Sequence, residues 1–558
     1  MILKKRGVGV CAAALLLSAL LLAGCAPAAS GAVQTPETAQ AETQEPVWAS
    51  LFCDVSFWKP PAWDISPDSV TGQITENTGL ALKITVPPQN ADMQLSLMLL
   101  KDEIPDVICL TDATMVSQLV TSGKVWDMEE FLRAYCPDSH LLKQYPGDLK
   151  RALIKRDGGW YAFPSHINTL DCRNIWQPSS NFYVERRDYG NNRCIIWNRA
   201  LLAQAGLEVT ELQTETQVLA AFEKAKTMQV DGKPVIPLLV DGKQYLDPTL
   251  KYLQASFGAE YVDDEGNYRD IVLQPQTKHA LQFLNTAVRR GYLPIDELTM
   301  TNEQVKTDIA GGRVLCFIGN VDNTNMQAKD WVSTGAVLSD TGDLPVQELN
   351  TATPTGWIST FVSKKCENPE QIAKWIDYMS SDEGMMRWDF GTEGVDYLKN
   401  TDGNIVRTSE GERKHENAST TGLTSWWMFS NTAFEESVIA PPVPGEQEYE
   451  RTGIVTAFGR TQELAYYNSA LLAMPAQELL PSSEQGQIQT KINEYIGAQL
   501  NAVVLAESDA AFETAYQEMI SRLKNLGIDT LDAKKNEIYK KNCAEYGETI
   551  TRVNPDAG

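Results

Sequence analysis

The sequence predicts an α/β fold, and two observations support this. Short β-rich runs alternate with helical runs from residue 48 to residue 545, as in strands connected by helices. Of the 558 residues, 43% are hydrophobic and 22% are charged, a composition that excludes a wholly disordered or fibrous chain. At about 150 residues per unit, the length allows three or four units or two large lobes.

The predicted strands are short apolar runs, and the predicted helices carry apolar residues at helical spacing between end signals. The strands are Leu82–Val86, Asp106–Leu110, Val235–Val240, Val314–Ile318 and Ile358–Val362. One helix is expected to begin at the Asn368-Pro369 cap and to close at Gly384. The others are His279–Arg290, with Gly291 beyond its end, and a stripe from Phe512 to Leu523 that stops at Gly527. We interpret these stripes as core faces.

The N-terminus has the features of an export signal. A basic stretch, Lys4–Arg6, precedes an uncharged run that is too short to span a membrane. Leu22-Ala23-Gly24-Cys25 resembles the lipobox of bacterial lipoproteins, in which cleavage leaves a lipid-modified Cys. We therefore expect a lipoprotein signal peptide at 1–24, acylation (palmitate) at Cys25, and a protein anchored by lipid at the extracytoplasmic face of the cell membrane. A plain signal peptide cut near Ala28 is the alternative.

Residues 25–47 are expected to form a flexible tether. They are rich in Ala, Pro, Thr, Gln and Glu and contain almost no large apolar side chains. Burial of apolar surface therefore cannot offset the conformational entropy that ordering these residues would cost. A coil of this length has an r.m.s. reach of roughly 26 Å, which holds a body near a membrane without fixing its orientation.

Charge and motif content exclude several classes of function. The formal net charge of −25 repels phosphate, so no nucleic acid is expected as a partner. With only four His, no HExxH and no paired CxxC, zinc chemistry is improbable, and no P-loop is present. We expect no cofactor, no metal and no catalytic residue.

Eight cysteines remain in the body once Cys11 and Cys25 are set aside. This is too few for a disulfide scaffold, and Cys109 and Cys316 lie inside apolar strands, so most should be buried free thiols. Cys172 and Cys194 are the one pair for which a bond is considered.

Several segments, in order over most of residues 50–546, share features with one family of proteins. They are Ile104–Ile108, Gly158–Pro164 (similar to a crossing segment between lobes), Ile195–Gly206, Asn368–Gly384 with Gly391–Tyr397, and Lys491–Tyr546. Together they resemble the lipoprotein branch of the family 1 extracellular solute-binding proteins, which serve carbohydrate ABC importers.

The resemblance implies a two-lobed periplasmic-binding-protein-like fold with crossing hinge strands and a ligand cleft between the lobes. Lobe one would take residues 48–164 and 356–425, and lobe two residues 165–355 and 426–552. It implies a monomer that captures a sugar or oligosaccharide and delivers it to the permease subunits of an ABC importer.

Sugars need aromatic platforms and polar groups that form several hydrogen bonds. Tryptophans in loop-like sequence are therefore candidate ligand-binding residues, although each could simply pack under a loop. They are Trp58, Trp63, Trp176, Trp357, Trp426 and Trp427. The polar candidates are Asp112 and Asn320, which follow strands, and Glu393 in a Gly-rich turn.

Five arginines fall between residues 173 and 199 although the whole chain is acidic. They are Arg173, Arg186, Arg187, Arg193 and Arg199. Arg binds carboxylates in a bidentate way, so a uronic or sulfated sugar is conceivable. We favour ion pairs with Glu185 and Asp188 as the explanation.

Two other functions stay open at this stage. A glycan-active enzyme would use paired carboxylates, and the same fold could bind a peptide or another polar solute.

Many relatives carry a calcium loop where this chain retains only Asp231-Gly232. The acidic turn at 263–267 lacks the spacing of such a loop, so no structural calcium is expected.

Overall fold

The computed structural model describes residues 45–349, 356–480 and 482–554. The predicted signal peptide, the lipidation site Cys25 and nearly all of the tether lie outside the described residues. From the sequence, Thr353–Gly356, just before Trp357, is expected to be a second crossing between the lobes, and residues 353–355 of it lie outside the described residues as well.

Fifteen strands are found in the described residues. They are β1 (Val47–Cys53), β2 (Leu80–Thr85), β3 (Val107–Leu110), β4 (Phe163–Pro164), β5 (Arg193–Asn198), β6 (Gln229–Val230), β7 (Lys233–Pro234), β8 (Ile236–Val240), β9 (Val314–Asn320), β10 (Trp331–Val332), β11 (Val346–Leu349), β12 (Ser359–Val362), β13 (Tyr397–Lys399), β14 (Ile405–Arg407) and β15 (Ala465–Asn468).

The first eleven α-helices lie before residue 257. They are α1 (Val70–Thr78), α2 (Ala91–Lys101), α3 (Ala113–Thr121), α4 (Met128–Tyr135), α5 (Leu141–Gln144), α6 (Gly147–Asp157), α7 (Leu170–Ile175), α8 (Asn181–Tyr189), α9 (Arg199–Ala205), α10 (Glu215–Ala225) and α11 (Pro248–Ser256). The later helices are α12 (Pro275–Arg289), α13 (Asn302–Ala310), α14 (Pro369–Met379), α15 (Asp382–Met385), α16 (Ser409–Glu416), α17 (Ala418–Thr421), α18 (Thr432–Val438), α19 (Gln447–Val455), α20 (Glu484–Val504), α21 (Asp509–Leu526) and α22 (Ile528–Tyr546).

Two sheets organise the chain. The first has the strand order β2-β1-β3-β12-β4, and the second has the order β10-β5-β9-β8. Each sheet is covered by apolar side chains on both faces, and these side chains include residues of the flanking helices. This layered arrangement of helices around mixed sheets confirms the predicted α/β class.

Most predicted elements are present, with shifted ends. The five predicted strands correspond to β2, β3, β8, β9 and β12, and the predicted helices correspond to α12, α14 and α21. The helix that begins at Pro369 ends at Met379 rather than at Gly384, and the Asn368 side chain makes no capping hydrogen bond. Ser381 instead caps the separate short helix α15 by accepting a hydrogen bond from the Gly384 amide.

The cysteines of the described body are free. Cys172 and Cys194, the pair for which a bond was considered, are both buried and pack in different core clusters. Cys109 and Cys316 are fully buried within strands, as expected of small apolar side chains.

The core around the first sheet reaches beyond the predicted boundary of lobe one. Ile167 and Cys172 pack in it, and so do Trp426, Phe429 and Phe434. The division of the chain into lobes stays a prediction.

The chain passes from the first sheet to the second after β4 and returns before β12, and the two crossing segments touch. The Ser165 amide donates to the Ile358 carbonyl at 2.9 Å, and the Ile358 amide donates to Ser165 Oγ at 2.9 Å. Gly356 has φ +74°, and a Cβ atom there would lie 2.1 Å from the Ser165 carbonyl oxygen. Only glycine permits this approach.

Replacing Gly356 should therefore be costly. Gly356→Ala is expected to lower the free energy of unfolding by roughly 2–4 kcal/mol, because backbone strain and a backbone clash add. Gly394→Ala is the matched control, since Gly394 has φ +82° with no neighbouring atom within 4 Å. It should cost about 1 kcal/mol. Urea denaturation measures both, and equal losses would contradict the role assigned to the crossing.

Candidate functional site

One edge of the first sheet is the starting point of the candidate site. β1 and β3 run parallel and end at this edge, while β12 runs antiparallel to β3 and begins there. β4 pairs antiparallel with β12 and ends at the same edge. Ligands of α/β sheets bind beyond the carboxyl ends of strands, so this edge is where binding residues are expected.

Four rings meet at this edge and form what we call the aromatic platform: Phe57, His166, Trp357 and Trp427. Phe57 and Trp357 stack with ring centroids 6.0 Å apart and an interplanar angle of 14°. Trp427 lies 6.3 Å and His166 6.1 Å from Trp357. Phe57 is 64% and Trp357 45% exposed. Exposed stacked rings of this kind are a rare surface feature and offer flat faces to a ligand.

The backbone at the crossing holds the platform in place. His166 has φ +52°, and its amide donates to the Ser430 carbonyl, three residues after Trp427. Its Nδ1 lies 2.9 Å from Ser165 Oγ. Burial lowers the pKa of His166, so the imidazole is neutral at pH 7.

Three of the predicted tryptophans form a second cluster beneath the surface. Trp58 and Trp426 are buried, and Trp63 is half-buried with its ring 5.6 Å from that of Trp426. The Trp58 indole donates to the Ser425 carbonyl at 2.9 Å, and the Trp63 indole donates to Thr75 Oγ1 at 3.0 Å. These contacts give all three a packing role, and their part in ligand binding stays a prediction.

Trp176 lies apart from the platform. It lines a separate cavity of 520 Å³ together with Tyr145, Phe163 and Phe429. Its indole donates to Asp382 Oδ1 at 3.0 Å. The lining of this cavity includes no residue of the second sheet.

The three polar candidates each have a partner within the protein. Asp112 caps α3 by accepting from the Met115 amide at 2.8 Å. Asn320 accepts from the Asp322 amide at 3.0 Å, and exposed Glu393 pairs with Lys399 at 3.1 Å. These bonds account for their positions, and whether any of them binds a ligand stays a prediction.

A polar cavity of 630 Å³ opens beside the second sheet. Its lining includes Arg193 at the start of β5, Asp322 just after β9, and Glu348 in β11. It also includes residues 168–170, which follow the first crossing, so the cavity begins two residues beyond His166 of the platform. The aromatic platform and the polar cavity therefore both take residues from the chain at the first crossing.

The four arginines that line this cavity are all paired with carboxylates. Arg186 contacts Glu448 at 2.6 Å, and Arg187 contacts Asp188 at 2.7 Å. Arg193 contacts Glu348 at 2.5 Å, and Arg451 is paired with Asp322. Of the ion pairs expected from the sequence, the one with Asp188 is present. Glu185 instead pairs with Arg460, which lies outside the predicted group.

The other two arginines of that group are also engaged. Arg173 is buried and paired with Glu436, and the Arg199 guanidinium donates to the Trp331 carbonyl at 3.0 Å. Neither residue lines the polar cavity.

Asp241 shapes the loop at the end of β9. Its carboxylate accepts from the Asn320 amide at 2.7 Å and from Asn323 Nδ2 at 2.8 Å. Burial raises the pKa of Asp241 to about 6, and the two hydrogen bonds oppose that shift. The carboxylate acts here as a brace for the turn that carries Asn320 and Asp322.

The residues missed from the sequence are Phe57, His166, Glu348 and Arg451. Phe57 precedes a predicted tryptophan, and His166 directly follows the predicted crossing segment, so both positions carried a usable signal. Glu348 and Arg451 lie far from the arginine group in sequence and became candidates only through the fold.

Asp389, which is buried, and Glu435, which is half-buried, are carboxyls of the kind that an enzyme could use as an acid. Burial raises the pKa of both, and Arg407 opposes the shift. Neither lines either cavity. Within the described parts of the chain, no group of three or more His, Cys, Asp or Glu side chains is placed to hold a metal ion.

One family of known proteins matches part of the chain. Residues 158–386 match the family described as bacterial extracellular solute-binding protein. This is the family predicted from the sequence. The match runs from just before the first crossing to the end of α15. No curated protein sequence matches the chain.

Solved structures share the fold over most of the chain. The S. pneumoniae ABC-transporter substrate binding protein FusA, in complex with kestose, has a TM-score of 0.65 at 15% identity, covering 89% of this chain and 100% of that chain. An HMO binding ABC-transporter associated solute binding protein from Bifidobacterium longum infantis has a TM-score of 0.64 at 13% identity, covering 89% and 99%. The N-glycan transport solute binding protein NgtS from Streptococcus pneumoniae has a TM-score of 0.55 at 13% identity, covering 90% and 100%. These likenesses confirm the periplasmic-binding-protein-like fold.

Proposed function

We propose that the protein is an extracytoplasmic receptor that captures an oligosaccharide and delivers it to the permease of an ABC importer. The observation that carries this proposal is the aromatic platform beside a polar cavity at the crossing of the two sheets. Stacked rings suit the C–H faces of sugar rings, and a polar cavity suits their hydroxyls. The names of the structural neighbours, which refer to sugar binding or ABC transport, support it.

The charge balance of the cavity favours a neutral sugar over an anionic one. Each of the four lining arginines already has a carboxylate partner within 2.7 Å. A uronate or sulfate would have to displace those carboxylates and face them at close range, which is unfavourable in a partly enclosed site. Hydroxyl groups can bind alongside existing ion pairs without breaking them.

Binding is proposed to bring the predicted lobes together. The hinges would lie at Tyr161–Pro164, which is fully described, and at Thr353–Gly356, where only Gly356 is within the described residues. The platform lies at the end of the first sheet and the polar cavity beside the second, so rotation about the crossing would enclose a ligand between them.

The two alternative hypotheses, a glycan-active enzyme and a peptide receptor, make predictions that differ from those of a sugar receptor. An enzyme would release shortened products from a glycan panel, and a peptide receptor would be stabilised by peptides and not by sugars. The carboxylates that line the polar cavity, such as Asp322 and Glu348, are held in ion pairs with arginine and so are not free to act as an acid and a base, which favours the receptor.

Thermal shift with oligosaccharides of matched length tests the sugar proposal. A neutral ligand at about 100 times its Kd should add ~2.7 kcal/mol to the stability of the folded protein, and a uronic analogue should give a smaller shift. Trp357→Ala with Trp427→Ala should weaken binding at least tenfold, because it removes the stacking surface. Tyr546→Ala, at an exposed aromatic on α22, is the control and should leave binding unchanged. A larger shift with the uronic sugar would contradict a neutral ligand.

Lipid anchoring at Cys25 completes the proposed function, and it rests on the lipobox resemblance and the polar segment that follows. No helix among the described residues is long and apolar enough to cross a membrane. Cys25→Ala should release the protein into the soluble fraction when cells are fractionated, because acylation needs the thiol. A variant that still sediments with membranes would show that the lipobox interpretation is wrong.

A further inference from the structure

Helix α2 is apolar on two opposite faces. Its sequence, ADMQLSLMLLK, places Leu95 in the core beneath the first sheet, where Met98 and Leu99 also pack. Met93, Leu97 and Leu100 recur at helical spacing on the other side and are 59%, 49% and 83% exposed. A surface helix ordinarily carries polar residues there.

Three large apolar side chains on successive turns form a patch, and the described residues do not cover it. Single exposed apolar residues are common on soluble proteins and need no explanation. A contiguous stripe on one helix is typical of an interaction surface. We call this stripe the α2 face.

The position of the α2 face in the fold limits which partners could cover it. α2 leads into the turn before β3, and there the Ser50 amide donates to Asp106 Oδ2 at 2.7 Å. Asp106 directly precedes β3, so α2 ends at the edge of the first sheet opposite the aromatic platform. The described chain also starts here, at residues 45–47, directly after the predicted tether.

Trp48 adds an exposed aromatic ring at this end. It shares a sheet face with Ser50 and Phe52, because side chains alternate along a strand. Phe52 packs in the same cluster as Leu95 of α2, so Trp48 lies on the α2 side of the sheet. The Lys83 ammonium lies 5.8 Å from its ring centroid.

Lysines concentrate in the same region of a chain whose net charge is −25. Lys124 and Lys365 both pair with Asp102, the residue that ends α2. The Lys364 amide donates to the Lys124 carbonyl at 2.8 Å, which brings a third lysine to this end. Exposed Lys101 lies at the end of α2 itself.

We propose that the α2 face, with Trp48 and these lysines, rests reversibly on the lipid bilayer. Apolar side chains flanked by Trp and Lys fit the interface between headgroups and acyl chains. The segment from Cys25 to residue 45 is short enough to keep this end of the body close to the membrane. The contact would lay the side of the first sheet that α2 covers against the bilayer while the receptor waits for its ligand. This orientation rests on the lipid anchor of the proposed function. Contact between the α2 face and lipid does not depend on that anchor.

Hydrogen exchange on vesicles tests the contact without relying on natural lipidation. The chain from residue 26 to 558, with an N-terminal hexahistidine tag, is held on vesicles of phosphatidylethanolamine and phosphatidylglycerol containing nickel-chelating lipid. Exchange of residues 91–101 should slow at least threefold relative to the free protein, while α21 (Asp509–Leu526) should be unchanged.

Two double variants and a series of protein concentrations then distinguish lipid from a second copy of the protein as the partner of the α2 face. Leu97→Gln with Leu100→Gln should restore the exchange rate of the free protein, since both side chains are exposed and their replacement leaves the core intact. Ile295→Gln with Val443→Gln, at positions that are both 57% exposed and far along the chain, should keep the slow exchange. An unchanged rate on vesicles, or slowing that survives Leu97→Gln with Leu100→Gln, would overturn the proposal. Slowing that appears in solution as protein concentration rises would assign the face to a second copy instead. Because the tag replaces the lipid, a failed Cys25→Ala test would count against the anchor alone.

Discussion

The contact between Gly356 and the Ser165 carbonyl is the constraint on which the arrangement of the site depends. The chain leaves the first sheet through one of these segments and returns through the other, and they pair within the same sheet. The close approach forces His166 and Trp357, one residue beyond each contact, to emerge side by side. The fold and the candidate binding surface are therefore set by the same few atoms. A larger residue at position 356 would disturb both at once.

Electrostatics govern the other half of the site. Four guanidinium groups around one cavity would make a strongly anion-binding surface if they were unpaired. Three of their four carboxylate partners, Glu348, Glu448 and Asp322, come from distant parts of the chain, whereas Asp188 directly follows its partner Arg187. The balance leaves a surface rich in fixed hydrogen-bonding groups with little net charge. Such a surface can recognise hydroxyl groups by the directions of the hydrogen bonds they form. Discrimination between neutral sugars requires recognition of this kind.

The sequence predicts many of the helices and strands, but it says much less about which side chains are in contact in the folded protein. Strands such as Val314–Asn320 and helices such as α21 follow from apolar periodicity and end signals, which are local properties. The burial of Trp58 depends on its hydrogen bond to Ser425, which is 367 positions away, and no local signal reports such a contact. For the same reason Trp357 and Trp427 could be proposed as site residues, but their ring contacts with Phe57 could not.

The central claim is that an oligosaccharide binds at the crossing and draws two lobes together. Solution X-ray scattering of the mature chain, with and without a saturating neutral oligosaccharide identified by thermal shift, tests it most directly. The account predicts that the radius of gyration falls on binding, and that Trp357→Ala with Trp427→Ala raises the ligand concentration needed for that change. A ligand that binds tightly and leaves the radius of gyration unchanged would contradict closure about the crossing.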